Sequence, residues 1–213
     1  TVGSYTLTYS ATDAAGNTAT ATRTVTVVDA TSPTILMGSG TVTHEAATAY
    51  SDEVPTATDT LDGVVSVTTS GTVDVSTVGS YTLTYSATDA AGNTATATRV
   101  VIVSDGTAPL LTLKGSTSLV HEAKTDFNGD GATAMDTVGG EIAVTSSGTV
   151  DINTLGIYVI NYNATDAAGN TATATRTVTV VDTTSPAILM GSGTVTHEAA
   201  TTYNDEVPTA TDT

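Results

Sequence analysis

The 213-residue chain has no cysteine, no tryptophan, a single phenylalanine, and five lysine or arginine residues against 22 aspartate or glutamate. Each scarcity removes a class of answers. Without cysteine there is no disulfide framework and no Cys–His catalytic pair, so stability has to come from packing or from bound ions. A formal charge of −17 makes nucleic acid and anionic membrane poor partners, because both present negative charge to the protein. No apolar run approaches the ~18 residues of a spanning helix, which argues against membrane insertion by this segment. Catalytic signatures are missing too: there is no Ser–His–Asp set and no glycine-rich phosphate loop. His44-Glu45, His121-Glu122 and His197-Glu198 recur, but Thr48 stands where a zinc-binding helix of HExxH type needs its second histidine. A strand-end or turn role is the better reading of that pair. Lysine occurs only at Lys114 and Lys124, so lysine-based isopeptide cross-links are not a general feature of the chain. The expectation is a protein that is not an enzyme.

What the chain has in abundance is repetition. The string TVGSYTLTYSATDAAGNTATATR fills residues 1–23, recurs letter for letter at 77–99, and returns diverged from Thr154 to Arg176. Asp29, Asp105 and Asp182 mark the same point in successive units, which are therefore 76 and 77 residues long. The extra residue lies between Pro109 and His121, since Pro33 to His44 is one step shorter. Residues 31–60 and 184–213 differ at three positions, giving a super-repeat of 153 residues. The units divide the chain into 1–29, the C-terminal part of one repeat; 30–105 and 106–182, complete repeats; and 183–213, the N-terminal part of the next. The partial ends read as boundaries within a longer polypeptide, with pairing between neighbouring chains as the alternative.

Within each unit the strand period is clean. In Tyr81–Ala87 apolar side chains alternate with hydroxyls, placing Tyr81, Leu83, Tyr85 and Ala87 on one face. Thr94–Val103 alternates the same way, and Arg99 falls on its buried parity. Either a bulge or strand end lets the guanidinium reach the rim, or it forms an ion pair with a loop carboxylate. Asp89-Ala90-Ala91-Gly92-Asn93 joins the two strands as a hairpin turn. Val78-Gly79-Ser80-Tyr81 has the Gly-x-Tyr spacing of a tyrosine corner. Further strand-like runs at Thr34–Met37, Thr41–His44, Pro55–Thr58, Val64–Thr69 and Thr72–Val75 bring the total to about seven per unit. The fold class expected is all-β: tandem antiparallel β-sandwiches of about seven strands, arranged end to end.

The succession of Val-Asp, a linker with Pro33, a Gly-Ser-Gly turn, Ala-Thr-Asp-Thr-Leu-Asp-Gly and the tyrosine-corner hairpin resembles bacterial immunoglobulin-like repeats of the hyalin-repeat-like group. The likeness covers the whole chain, and ATDAAGNTATATRTVTV is its most specific stretch. It implies a large secreted or surface-anchored bacterial protein, extracellular, often an adhesin, whose repeats act as stalks and sometimes bind calcium at domain junctions.

The residues themselves point to the same place. Residues 30–105 hold eight acids and one base, and 106–182 hold eight acids and three bases. Acids at junctions of such self-repelling units favour a cation between them. In immunoglobulin-type strand order the entering linker, the loop after the second strand and the turn between the last two strands share one pole. That order predicts a calcium site from Asp29, Asp59, Asp62 and Asp89, with Asn93 contributing; ordinary turns that bond their own backbone use the same residues. The next junction has Asp105, Asp136 and Asp166 but Gly139 in place of Asp62, and is expected to be weaker unless Glu141 substitutes; Asp182 opens the one after. Asp126–Gly131 imitates the first half of an EF-hand loop, yet Thr137 stands where the closing glutamate belongs, and a plain turn is preferred. Asn163-Ala164-Thr165 matches a glycosylation sequon within a strand, which reads as coincidence. The leading functional expectation is an extracellular spacer whose partners are its neighbouring repeats. The alternatives are a self-assembling filament, in which copies of the chain pair, and a glycan- or protein-binding module.

Overall fold

The computed structural model describes residues 1–212 and comprises two compact units, Thr1–Asp105 and a second beginning at Gly106. In the first unit the strands are β1 (Gly3–Thr12), β2 (Thr18–Val27), β3 (Thr34–Leu36), β4 (Thr41–Glu45), β5 (Thr56–Asp59), β6 (Gly63–Val65), β7 (Val67–Ser70), β8 (Gly79–Thr88) and β9 (Thr94–Ser104). β1 and β2 form a separate hairpin, and the complete repeat consists of sheets β3-β5-β6 and β4-β9-β8-β7. The second unit repeats the plan. Its strands are β10 (Leu110–Leu113), β11 (Ser118–Glu122), β12 (Ala132–Asp136), β13 (Gly140–Ile142), β14 (Val144–Ser147), β15 (Gly156–Thr165) and β16 (Thr171–Val181). They form sheets β10-β12-β13 and β11-β16-β15-β14, followed by the small pair β17 (Ala187–Leu189) and β18 (Thr209–Thr211). Each complete repeat thus has seven strands.

Alternation sets the faces as the sequence implies. Leu83, Tyr85, Ala87, Val101 and Val103 are buried, while the threonines between them face outward. In the second unit Ile160, Tyr162 and Val178 form the core with Leu111, Leu119, Phe127 and Val144 packed on it. The tyrosine corner is present three times: Tyr5, Tyr81 and Tyr158 each donate to the carbonyl four residues back, at 2.8–2.9 Å.

Three features depart from the sequence reading. β4 runs parallel to β9, and β11 to β16, so the four-stranded sheets are mixed. Alternation fixes which face a residue takes but is silent on the direction of the neighbouring strand. The run Val64–Thr69 divides at Ser66 into β6 and β7, which belong to different sheets. Thr72–Val75 is not a strand. Gly71 ends β7 with φ of +98°, and a Cβ there would strike the Thr82 carbonyl oxygen. Beyond it Asp74 Oδ1 accepts from the amide and hydroxyl of Ser76, closing a turn.

Arg99 resolves in favour of the ion pair. The residue is 4% exposed, and Nη1 donates to Asp52 Oδ1 at 2.6 Å and to the Glu53 carbonyl at 2.9 Å. Asp52 also accepts from Tyr85 and Tyr50 hydroxyls at 2.8 and 3.1 Å. Arg176, the same residue one unit on, is fully buried but has Gly129 where Asp52 would stand. It is held instead by the Ser116 carbonyl at 3.0 Å, the Tyr162 hydroxyl at 3.4 Å and the Lys114 carbonyl. The one-residue insertion falls in the β10 segment, where Leu113 extends the strand to pair with Ala132 and leads directly into Lys114.

Candidate cation site

Three carboxylates of the first unit are each fixed by their own turn. Asp29, after β2, accepts the amide and hydroxyl of Thr31 on Oδ1 at 3.1 and 2.8 Å. Asp59, at the end of β5, accepts the amides of Leu61 and Asp62 on Oδ1 at 2.7 and 3.1 Å. Asp89 opens the β8–β9 turn and accepts the Asn93 amide on Oδ1 and the Asn93 side-chain Nδ2 on Oδ2, both at 2.7 Å. Gly92, at φ of +93°, lets its amide turn back to the Asp89 carbonyl.

These turns bring the side chains together. One ligand oxygen from each of Asp29, Asp59 and Asp89 lies within 4.8 Å of the other two. Asp59 and Asp89 are 8% and 7% exposed. Oδ2 of Asp29 and Oδ2 of Asp59 are buried with no hydrogen-bond partner, an arrangement costly for a carboxylate that lacks a counter-charge. Two oxygens bound to one calcium at roughly 2.3–2.6 Å lie at most about 5 Å apart, so this spacing suits a shared ion. Burial raises the Asp89 carboxyl, but bonds from Asn93, Gly92 and Ala91 outweigh it and hold the group below its ordinary value. It is therefore ionised near neutral pH, as a cation ligand must be.

The remaining sequence candidates fall around this group. Asp62 braces it: its Oδ2 accepts the Ala90 amide at 2.7 Å, tying the Asp59 turn to the Asp89 turn. Asn93 reaches toward the Asp29 carbonyl at 3.5 Å. In the second unit Asp136 ends β12, accepts the amides of Val138 and Gly139 on Oδ2, and keeps a buried Oδ1 without a partner. Asp166 repeats the clasp of Asp89 on Asn170. Asp105 follows β9 as the last residue of the first unit. Asp182 follows β16 and holds Thr184 as Asp29 holds Thr31. Glu141 is exposed on β13, opposite Met135. In the EF-hand-like stretch Asp126 and Asp130 are exposed, and the Phe127 ring packs edge-on against His121 at 5.1 Å.

The His-Glu pair has a role that its recurrence signalled but its chemistry hid. Glu122 grips the outgoing linker, its carboxylate accepting the Thr183 amide at 2.9 Å and hydroxyl at 2.7 Å. The Thr183 hydroxyl lowers its carboxyl from the ordinary value. His121 Nε2 meets Thr125 at the turn that ends the strand.

Fold and site together define a class, the extracellular immunoglobulin-like sandwich repeat. The chain belongs to the family described as Bacterial surface protein, Ig-like domain, which matches residues 1–27, 35–103 and 111–180. It is an extracellular structural or adhesion-type repeat of a surface protein. Among curated relatives it is 32% identical to hyalin of Strongylocentrotus purpuratus over 91% of this chain and 18% of that protein. It is 33% identical to hyalin of Lytechinus variegatus over 92% and 40%, so it spans less than half the length of either. Solved structures with similarity include a lipoprotein of Bacteroides thetaiotaomicron, 37% identical over 36% of this chain and 39% of that one at a TM-score of 0.33. Another is the protocadherin gammaB7 EC3-6 cis-dimer, 14% identical over 89% and 61% at a TM-score of 0.39.

Proposed function

We propose that this chain is part of a spacer in which short-linked sandwich repeats carry a distal region away from the cell, and that a calcium ion at each repeat entrance fastens linker to domain. The repeats at 30–105 and 106–182 are its unit of extension, and the role is mechanical rather than catalytic. The observation that supports it is the convergence of Asp29, from the entering linker, with Asp59 and Asp89 from two loops of the domain, with two buried oxygens left unpartnered. A divalent cation supplies the missing partner for both and cross-links segments 30 residues apart. In the second unit Asp136 and Asp166, which repeat the turns of Asp59 and Asp89, are assigned the same part, and Asp182 repeats the turn of Asp29.

Calorimetric titration of calcium into chelator-treated protein tests this. Wild type is expected to bind with a rise in melting temperature, and Asp59→Asn to bind at least about tenfold more weakly, the equivalent of ~1.4 kcal/mol. Absence of calcium-dependent heat in the wild type defeats the proposal.

A further inference from the structure

The acids of this chain are not spread evenly, and the outer face of the four-stranded sheet carries none of them on β7, β8 or β9. On β7, β8 and β9 every outward position is Thr, Ser, Val or Ile, and cross-strand rows such as Ser70, Thr84 and Thr98 line up hydroxyl beside hydroxyl. The second unit repeats the absence of charge on β14, β15 and β16 and adds exposed aliphatics, with Val120 at 75%, Ile157 at 72% and Val159 at 46%. Glutamate appears on this parity only at the tip of the edge strand, and there the Glu122 carboxylate turns to Thr183.

We infer that this uncharged face is where a second copy of the chain packs, sheet face to sheet face. At −17 two copies repel over any acidic surface, and a neutral face is where they meet without that cost. A basic partner would be drawn to the acidic surfaces, not to this one. A sugar partner would want an aromatic platform, and the face has none. Branched side chains on two sheets interdigitate when sheets stack about 10 Å apart. Size then sets the behaviour. Strand spacing and rise give each repeat on the order of 500 Å² of such face, below the ~800 Å² per partner of a standard interface. Each face by itself therefore gives a weak contact, populated at high protein concentration.

The association does not depend on the cation site and is measured with chelator present. Sedimentation of the 213-residue chain across a concentration series is expected to show a dimer. Thr98→Asp with Thr175→Asp is expected to abolish it, Thr98→Lys with Thr175→Lys to do the same, and a mixture of the two variants to restore it. Thr58→Asp, on the other sheet, leaves it intact. A wild type that stays monomeric to its solubility limit overturns the inference. So does a dimer that survives the aspartate pair, as association through the exposed Tyr5 and Tyr9 of β1 would.

Discussion

Arginine at the buried parity shows how one residue is accommodated in two ways. Arg99 has a carboxylate, and Arg176 has carbonyls and a hydroxyl. Removing one partner of a buried pair leaves an uncompensated charge, so Asp52→Asn is expected to destabilise the first unit by about 3 kcal/mol. The converse change tests the same argument. A Cβ at Gly129 would sit 3.9 Å from Arg176 Nη1 and 3.5 Å from Phe127 without collision. Gly129→Asp is therefore expected to stabilise the second unit by on the order of 1–2 kcal/mol, read as a rise of several degrees in its melting transition. A fall would mean that the Lys114 carbonyl already serves the guanidinium better than a carboxylate can. The period predicted that arginine points inward. The identity of its partner was not legible, because Asp52 sits in a loop 47 residues away and only the fold brings them together.

At the level of elements, the hairpin is the most local structure in the chain and the most legible. Its alternation, its Asp–Asn clasp and its tyrosine corner lie within 23 residues. The strand ends were less so. Thr72–Val75 has the composition of a strand, but Gly71 turns the chain away because its backbone passes against Thr82. Gly148 repeats this against Val159 at φ of +98°. Gly71→Ala, which combines positive φ with a backbone collision, is expected to cost more than ~2 kcal/mol. Denaturant unfolding would check it, with Gly92→Ala, where nothing lies within 4 Å of a Cβ, costing only the conformational penalty.

For the whole molecule, pH acts from both ends. Asp52 is raised by burial, but bonds from Tyr85, Arg99 and Tyr50 and the Arg99 charge bring it below its ordinary value. Bonds from their own linkers or turns leave Asp89, Asp166 and Glu122 lowered too. Stability from such groups is present above the unfolded carboxylate values, about 4, and is lost as pH falls through the lower folded ones. Near the isoelectric point of about 4.1 self-repulsion also vanishes, so acid is expected to bring precipitation with unfolding. At the other end, burial followed by the Asp52 bond pushes Tyr85 up to about 12. Its contribution is complete below the ordinary tyrosine value, near 10, and is lost between there and about 12. Melting temperatures across pH are expected to fall at both limits, and Tyr85→Phe to reduce the alkaline loss, leaving the part due to Tyr50, which burial and Asp52 also raise. The acidic loops were visible as repeated Asp. Strand order was enough to expect Asp29, Asp59 and Asp89 near one another; that Asp62 is spent on Ala90 depends on side-chain direction, which no spacing encodes.

One string appears twice without change, which separates the two contributions. Residues 1–23 and 77–99 make the same hairpin, the same Tyr-to-Thr bond and the same Asp–Asn turn. Those are determined by sequence, because every bond in them is local. The burial of Leu83 and Tyr85, at 4% and 0% exposed, and the pairing of Arg99 with Asp52 are of another kind. Only tertiary structure decided those, because burial and ion pairing come from an opposing sheet and a distant loop that the string itself does not contain.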